Sequence, residues 1–279
     1  SLEQICPVTE DVLSNAIIFN HISFYDSRDA QSYKRDRIDY TNDIKAGIKD
    51  IKIAFVTSEK YANADVNSAI DAAAKSFAAL GAQVTELDFD EIVRDCDATV
   101  ASYYIISSAE ACSELARFDG IHSGIATEVS NSITERIMNS RGQNLGYGVK
   151  RRIMLGNLAL SRQGYEQLYL RAKAASGALV AQLKGVFERF DVLLLPVMST
   201  VAHRFDELPS SSIQSFREDI FTMIANLSGF PAISMPCGIG EANMPIGMQL
   251  MGSPLSEELL YRAAYAFEDF SREQTGEKQ

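Results

Sequence analysis

Residues 51–89 read IKIAFVTSEKYANADVNSAIDAAAKSFAALGAQVTELDF, and this stretch alone is enough to assign the fold class. Ile51–Thr57 is an apolar, β-rich run of the kind that forms buried strands. Asp65 is the predicted cap of a following amphipathic helix, which Gly81 ends. Gln83–Phe89 is a second strand-like run. The stretch therefore predicts a β-α-β unit, whose two strands are parallel and joined by a right-handed crossover.

A helix and a long polar connection precede this unit. Thr9 is a predicted N-cap, because acidic Glu10 and Asp11 follow it in the first turn of a helix that runs through Phe19. The sequence from Tyr25 to Asp50 is polar and aperiodic, so we expect a surface connection there.

Helices dominate the middle of the chain. Predicted helices fill most of residues 92–190, and the last of them is a long amphipathic stretch from Leu158 to Phe190. A further helix is predicted from about Ile213 to Leu227. Ser256 is the expected cap of a last helix, which runs through Phe270.

The remaining predicted strands lie in the last third of the chain. They are Val192–Val197, Ala232–Cys237 and Ile246–Met251, and the Gly240–Asn243 turn joins the last two in a hairpin. We therefore expect an α/β fold with a mixed β-sheet flanked by helices. Residues 1–272 are expected to belong to one domain, and 273–279 to form a disordered tail.

The composition limits the functions that this chain can have. Its 37 acidic and 26 basic residues give a formal charge of −11, and such a surface repels phosphate backbones. Broad binding of nucleic acid is therefore not expected. No apolar run approaches the roughly 18–20 residues of a membrane span, so we expect no membrane among the partners. The four cysteines form no C-x-x-C pair, and we expect free thiols in a reducing, cytoplasmic compartment.

Common catalytic motifs are missing from the sequence. It contains no G-x-S-x-G elbow, no P-loop, no H-E-x-x-H motif and no glycine-rich dinucleotide fingerprint. None of its three histidines has a recognisable catalytic setting, and no cluster of metal-ligating residues is present. We therefore predict no catalytic residue and no metal ligand within this chain.

Asp219 is a charged residue at an apolar position. It lies on the same stripe of the predicted helix as Phe216 and Met223, and a buried carboxylate costs several kcal/mol unless a cation pairs with it. The partner could be a ligand's ammonium group. A structural salt bridge or partial exposure of Asp219 are the alternatives.

Arg152 and Tyr103 are two more candidate binding residues. Arg152 lies beside an apolar helix face that includes Val149 and Gly156, and a guanidinium there suits bidentate binding of a carboxylate. An ordinary solvated surface is the alternative for Arg152, and an ordinary core position for Tyr103. If these side chains met at one pocket with Asp219, they would match an α-amino acid: Arg152 would bind its carboxylate and Asp219 its ammonium group.

Nine short blocks, taken together, carry a family resemblance. The chain resembles the C-terminal part of the amidase-signature family, and within it the A subunits of bacterial glutamyl-tRNA(Gln) amidotransferases. The blocks are SLEQI (1–5), YYII (103–106), AEA (109–111), LARFDG (115–120), VKRRIMLG (149–156), DIFT (219–222), NLSGFPAIS (226–234), PCG (236–238) and PIGMQLMG (245–252).

The resemblance implies a specific activity. Such subunits hydrolyse glutamine to glutamate and ammonia with a Ser–Ser–Lys triad, and they assemble with subunits B and C. A partner subunit uses ATP and Mg²⁺ to activate the glutamate carried on Glu-tRNA(Gln). The glutamine-binding Tyr, Arg and Asp of the family match Tyr103, Arg152 and Asp219. Residues 1–272 would then be the C-terminal part of one amidase-signature domain.

The resemblance also implies that the catalytic triad lies upstream of the block at 1–5, so we expect the chain alone to hydrolyse no glutamine. The chain departs from the family pattern at Cys6, usually glycine, at His122-Ser123, usually Arg-Tyr, and at Ser199, usually proline. The sheet is expected to leave an edge or an apolar face exposed. Two alternatives stay open: part of a stand-alone amide hydrolase, or a non-catalytic amino-acid-binding or assembly module.

Overall fold

The computed structural model describes residues 1–126, 132–206 and 218–276. These residues form two compact units. The first, which we call the helical unit, comprises Ser1–Leu2 and Cys96–Ala178. The second, which we call the sheet unit, comprises Glu3–Asp95 and Leu179–Gln279 and contains all the described strands.

The described part of the chain forms helices and strands with the following bounds, given in chain order for each type. The helices are α1 (Val12–Ile22), α2 (Ala64–Ala79), α3 (Cys96–Leu115), α4 (Ile133–Asn144), α5 (Tyr147–Leu160), α6 (Arg171–Phe187), α7 (Ile220–Ser228) and α8 (Glu257–Thr275). A π-helical turn at Tyr165–Leu170 precedes α6, and short 3₁₀ turns lie at Phe89–Glu91 and Glu241–Asn243. The strands are β1 (Lys52–Val56), β2 (Gln83–Leu87), β3 (Val192–Pro196), β4 (Ala232–Ile239) and β5 (Pro245–Gly252).

The sheet is mixed, as the sequence predicts. Its strand order is β2-β1-β3-β5-β4. Strand β1 pairs in parallel with both β2 and β3, which confirms the parallel β-α-β unit. Strand β5 pairs antiparallel with β3 and with β4, and the predicted hairpin is the β4–β5 pair.

The core of the sheet unit lies around β3. Four consecutive residues of this strand, Val192–Leu195, are fully buried. Helices α2 and α8 contribute to the same apolar cluster, where the rings of Phe77 and Phe267 lie 5.2 Å apart. A strand buried on both faces is typical of a sheet covered by helices, so this packing explains why β3 is a continuous apolar run.

Two predicted helix caps are each wrong by two residues. Asp11, and not Thr9, caps α1, because its carboxylate accepts a hydrogen bond from the Ser14 amide at 2.6 Å. At α2 the N-cap is Asn63, and Asp65 lies inside the first turn. The Asp65 carboxylate instead accepts from the Glu241 amide at 3.0 Å.

The prediction of a surface connection over residues 25–50 is wrong in its second half. Tyr40, Ile44 and Ile48 are only 2%, 2% and 1% exposed and belong to the core of the sheet unit. The Tyr40 ring lies 5.0 Å from Phe19 and 5.7 Å from Tyr261. The connection is therefore held to the core by a row of apolar residues.

The helix predicted from Leu158 onward is interrupted. Helix α5 ends at Leu160, where the Ser161 hydroxyl donates to the Leu158 carbonyl at 2.7 Å and accepts from the Gly164 amide at 3.0 Å. The Ser161 side chain thus competes with the backbone for hydrogen bonds, as serine does at helix ends.

Two further predictions concern helix ends. Helix α7 begins at Ile220, and the predicted start at Ile213 and the stripe residue Phe216 lie outside the described residues. Helix α8 continues to Thr275, which is inside the predicted tail, while 277–279 lie outside the described part. The assignment of residues 1–272 to one domain of the family stays a prediction.

Candidate functional site

Helices α3 and α5 pack closely in the helical unit and carry two of the three predicted binding residues. Their approach depends on Gly156 of α5. A Cβ at this position would overlap the Ser108 carbonyl oxygen of α3 and lie 2.5 Å from Cys112 Cβ. Only glycine fits this crossing, so Gly156 fixes the spacing of the two helices.

Tyr103 lies in the N-terminal half of α3 and is half-buried. Its ring stands edge-on to Tyr104, with the centroids 5.5 Å apart. The neighbouring Ser102 and Ile106 are buried at 2% and 1% exposure. Tyr103 is thus held at the border between the buried and the accessible faces of α3, where a phenol can reach a ligand.

Arg152 lies on α5 and is exposed. Within the described ranges its guanidinium makes no hydrogen bond or ion pair, whereas neighbouring Lys150 donates to the Gly142 carbonyl. The five N–H donors of Arg152 are therefore available to an anion such as a carboxylate.

Asp219 lies in the sheet unit, immediately before α7, and is half-buried. The sequence places it within a helix, but the structure makes it the N-cap residue. Its carbonyl accepts from the amides of Thr222 at 3.2 Å and Met223 at 3.1 Å. A carboxylate at a helix N-terminus interacts favourably with the helix dipole, which lowers the cost of partial burial.

The residues around Asp219 make two contacts that the sequence does not predict. His203 Nε2 lies 2.8 Å from Glu218 Oε2, and the Ser199 hydroxyl donates to the Glu218 carbonyl at 3.1 Å. Ser199 is 6% exposed. The one available signal was the departure from the family pattern that the resemblance implies at Ser199.

The predicted three-residue site stays a prediction. Tyr103 and Arg152 belong to the helical unit, on helices that pack together, whereas Asp219 belongs to the sheet unit. The structure therefore packs together the helices that carry Tyr103 and Arg152. The position of Asp219 is described within the sheet unit only.

Among the described residues, two cavities each lie within one unit, and neither of them is lined by Tyr103, Arg152 or Asp219. One of about 550 Å³ lies at the carboxyl ends of β1 and β2, where open α/β sheets commonly bind ligands. Its lining is Thr57, Ser58, Glu59, Lys60, Tyr61, Glu86, Leu87, Asp88, Phe89 and Asp90. The other, of about 190 Å³, lies in the helical unit and is lined by Phe118, Gly120, Gly124, Ile125, Ser140, Arg141, Asn144 and Leu145.

Other reactive side chains have structural roles. Burial raises the pKa of the Cys237 thiol to about 12, so it is a poor nucleophile near neutral pH. The Asp119 carboxylate accepts hydrogen bonds from the His122 ring and from backbone amides of the same loop, which lower its pKa. The part of the chain that the structure describes has no group of three potential metal ligands. Among its helices, none has the length and apolarity needed to span a membrane.

The fold is that of a mixed α/β protein in which helices cover a five-stranded sheet. A family model described as Amidase matches residues 1–261. The chain belongs to the amidase family, which confirms the resemblance found in the nine blocks.

Relatives that are A subunits of glutamyl-tRNA(Gln) amidotransferases match nearly the whole chain. The one from Halothermothrix orenii is 37% identical over 272 residues, which is 96% of this chain and 56% of the relative. The crystal structure of the one from Thermotoga maritima has a TM-score of 0.71 at 29% identity and covers 95% of this chain and 52% of that one. The chain thus spans about half the length of the relatives it matches.

The fold also occurs in other amide-cleaving enzymes. A bacterial aryl acylamidase of the amidase-signature family has a TM-score of 0.75 at 21% identity, and the match covers 97% of this chain and 53% of that one. At this identity the likeness extends to the fold alone.

Proposed function

We propose that this chain is the glutamine-binding part of the amidase subunit of a glutamyl-tRNA(Gln) amidotransferase. The observation that carries the proposal is the 37% identity to the Halothermothrix orenii relative over 96% of the chain. Further relatives of the same name, from other bacteria, are between 35% and 38% identical.

Within this proposal each predicted residue has a distinct role. Arg152 binds the α-carboxylate of glutamine through paired N–H donors, and its lack of a partner in the described protein supports this role. Asp219 accepts hydrogen bonds from the α-ammonium group. Tyr103 donates its phenol hydrogen to the bound amino acid and shields it from water.

The chemistry of amide cleavage would come from the family's Ser–Ser–Lys triad, in the part of the relatives that this chain does not match. The ammonia would pass to a partner subunit that uses ATP and Mg²⁺ to activate Glu-tRNA(Gln). Subunits B and C are accordingly the proposed protein partners. With its formal charge of −11, this chain would meet tRNA only through the assembled complex.

Calorimetric titration of the chain with L-glutamine tests the proposal. Arg152→Lys is expected to weaken binding about tenfold, because lysine cannot form the bidentate contact. Arg152→Ala is expected to abolish measurable binding. Arg151→Ala, at the neighbouring exposed position, is the control for the loss of one positive charge and is expected to bind as the parent chain does.

The same titration separates the proposal from the two alternatives. Part of a stand-alone amide hydrolase would bind a simple aliphatic or aryl amide as well as it binds glutamine. A general amino-acid-binding module would not distinguish glutamine from alanine. Equal affinity of the parent chain and Arg152→Ala for glutamine would contradict the proposed site.

A further inference from the structure

Two hydrogen bonds in series connect the residue before Asp219 to the start of α2 within the sheet unit. The amide of Asn63, the N-cap of α2, donates to the Ser199 carbonyl at 2.9 Å. The Ser199 hydroxyl in turn donates to the Glu218 carbonyl at 3.1 Å. The backbone immediately before Asp219 is thereby connected to the start of α2.

A second contact fixes the side chain of Glu218. Its carboxylate is 13% exposed and lies 2.8 Å from the His203 ring nitrogen. A protonated imidazole forms an ion pair there, and a neutral one with its proton on Nε2 donates the same hydrogen bond. Glu218 is therefore held at its carbonyl by Ser199 and at its carboxylate by His203.

These contacts act on Asp219 because the two residues are adjacent. The Asp219 carbonyl accepts the first amide hydrogen bonds of α7, from Thr222 and Met223. The Glu218 carbonyl belongs to the peptide that joins Glu218 to Asp219, so the Ser199 hydrogen bond restrains this peptide. Rotation of the peptide would break that bond, turn the backbone of Asp219 at the start of α7 and re-aim the Asp219 carboxylate. A binding residue needs such support, because a displacement of about 1 Å is enough to lose a well-oriented contact.

We propose that His203 and Ser199 are positioning residues for Asp219, acting through Glu218. This inference deepens the proposed function and rests on it for the identity of the ligand, the ammonium group of glutamine. The contact depends on the serine at position 199, because a residue without a hydroxyl could not donate to the Glu218 carbonyl.

Amide hydrogen exchange of the full chain tests the positioning without any ligand. Glu218→Ala removes the carboxylate and is expected to speed exchange at Thr222 and Met223 at least fivefold. Glu218→Gln keeps an acceptor for the His203 ring and is expected to restore nearly the parent rate. Ser199→Ala is a small change at a buried site, and it is expected to speed exchange as Glu218→Ala does. It replaces Glu218→Ala in the experiment if Glu218→Ala folds poorly.

His122→Gln is the matched control, because His122 pairs with Asp119 at 2.9 Å in the helical unit. It is expected to leave exchange at Thr222 and Met223 unchanged. Parent-like exchange in both Glu218→Ala and Ser199→Ala would overturn the proposal.

Glutamine titration of the same variants connects the positioning to binding. Glu218→Ala is expected to weaken affinity at least fivefold and Glu218→Gln to restore it. If Asp219→Ala abolishes binding but Glu218→Ala leaves it intact, the positioning role is refuted while the proposed function stands. If Asp219→Ala has no effect on binding, the ammonium contact of the proposed function fails, and exchange alone decides whether Asp219 is positioned.

Discussion

At Gly156 a single missing methyl group sets the distance between α3 and α5. Gly156→Ala is expected to destabilise the chain by about 1–3 kcal/mol, because the new Cβ overlaps a backbone carbonyl that cannot move without shifting α3. Urea unfolding followed by circular dichroism measures the change.

Gly177→Ala provides the control. Gly177 lies within α6, and a Cβ there meets no atom within 4 Å. Alanine is expected to raise the free energy of unfolding by roughly 0.5–1 kcal/mol, because it removes backbone freedom from the unfolded chain. A stabilising effect of both substitutions would show that α3 and α5 are not in close contact.

Asp11 links the stability of α1 to pH. Its pKa is lowered chiefly by the hydrogen bond from the Ser14 amide, against which desolvation acts. Because the folded-state pKa is below the unfolded value, the carboxylate stabilises the fold at neutral pH, and this stabilisation is lost as pH falls through the folded-state pKa. Asp11→Ala is expected to cost about 1 kcal/mol at pH 7 and progressively less below about pH 4.

Unfolding of Asp11→Ala and the parent chain at several pH values checks this expectation. Asp11→Asn is the comparison, since an asparagine side chain still accepts the Ser14 hydrogen bond without a charge. A cost of Asp11→Ala that stays constant from pH 7 to pH 3 would be incompatible with a capping carboxylate of lowered pKa.

At the scale of elements, the connection before β1 gives a test of core packing. Tyr40 is 2% exposed, and its hydroxyl accepts a hydrogen bond from Arg35. Tyr40→Ala is expected to lower the free energy of unfolding by about 3–4 kcal/mol through loss of ring contacts with Phe19 and Tyr261.

Tyr33→Ala is the matched control in the same connection. Tyr33 is 66% exposed, so its removal is expected to change stability by less than about 0.5 kcal/mol. Chemical denaturation of both variants distinguishes a packed connection from a surface one. Equal effects of the two substitutions would contradict the burial of Tyr40.

The elements that the sequence predicts well are those whose signals are local. The β-α-β unit and the β4–β5 hairpin have strand-length apolar runs and turn residues close together in the chain. The sequence does not reveal the burial of Tyr40, Ile44 and Ile48. These residues are four positions apart but are surrounded by polar residues, so the pattern is weak. A packing partner such as Tyr261 also lies more than 200 positions away in the chain.

In the candidate site, too, features with a local signal can be predicted from the sequence and long-range contacts cannot. Residue type and helical spacing single out Arg152 and Asp219 as candidates, although Asp219 caps α7 and does not lie within it. The contacts of Glu218 with Ser199 and His203 could not, because they span 19 and 15 residues and depend on how the chain turns after β3. Hydrogen bonds between residues so far apart in the chain leave no periodic pattern in the sequence.

At the scale of the whole chain, both outer strands of the described sheet, β2 and β4, are partly uncovered, and three of the five residues of β2 are exposed. Strand β4 alternates between exposed and half-buried residues, and Ile239 is 63% exposed. Exposed apolar residues also occur outside the sheet, including Val8 at 92% and Met154 at 73%. Unpaired strand edges and apolar patches favour association, so this surface agrees with the proposed place of the chain in a larger assembly.

Catalysis requires more than the binding of substrate. A nucleophile needs a base within hydrogen-bond reach and donors that stabilise the oxyanion, and residues that only bind substrate lower no chemical barrier. We therefore expect the purified chain to release glutamate from glutamine at the rate of buffer alone, even at concentrations where calorimetry detects binding. A full-length relative, the A subunit of the glutamyl-tRNA(Gln) amidotransferase from Thermotoga maritima, is the positive control. Turnover above background that a substitution at Arg152 or Asp219 abolishes would mean that this chain holds catalytic groups of its own.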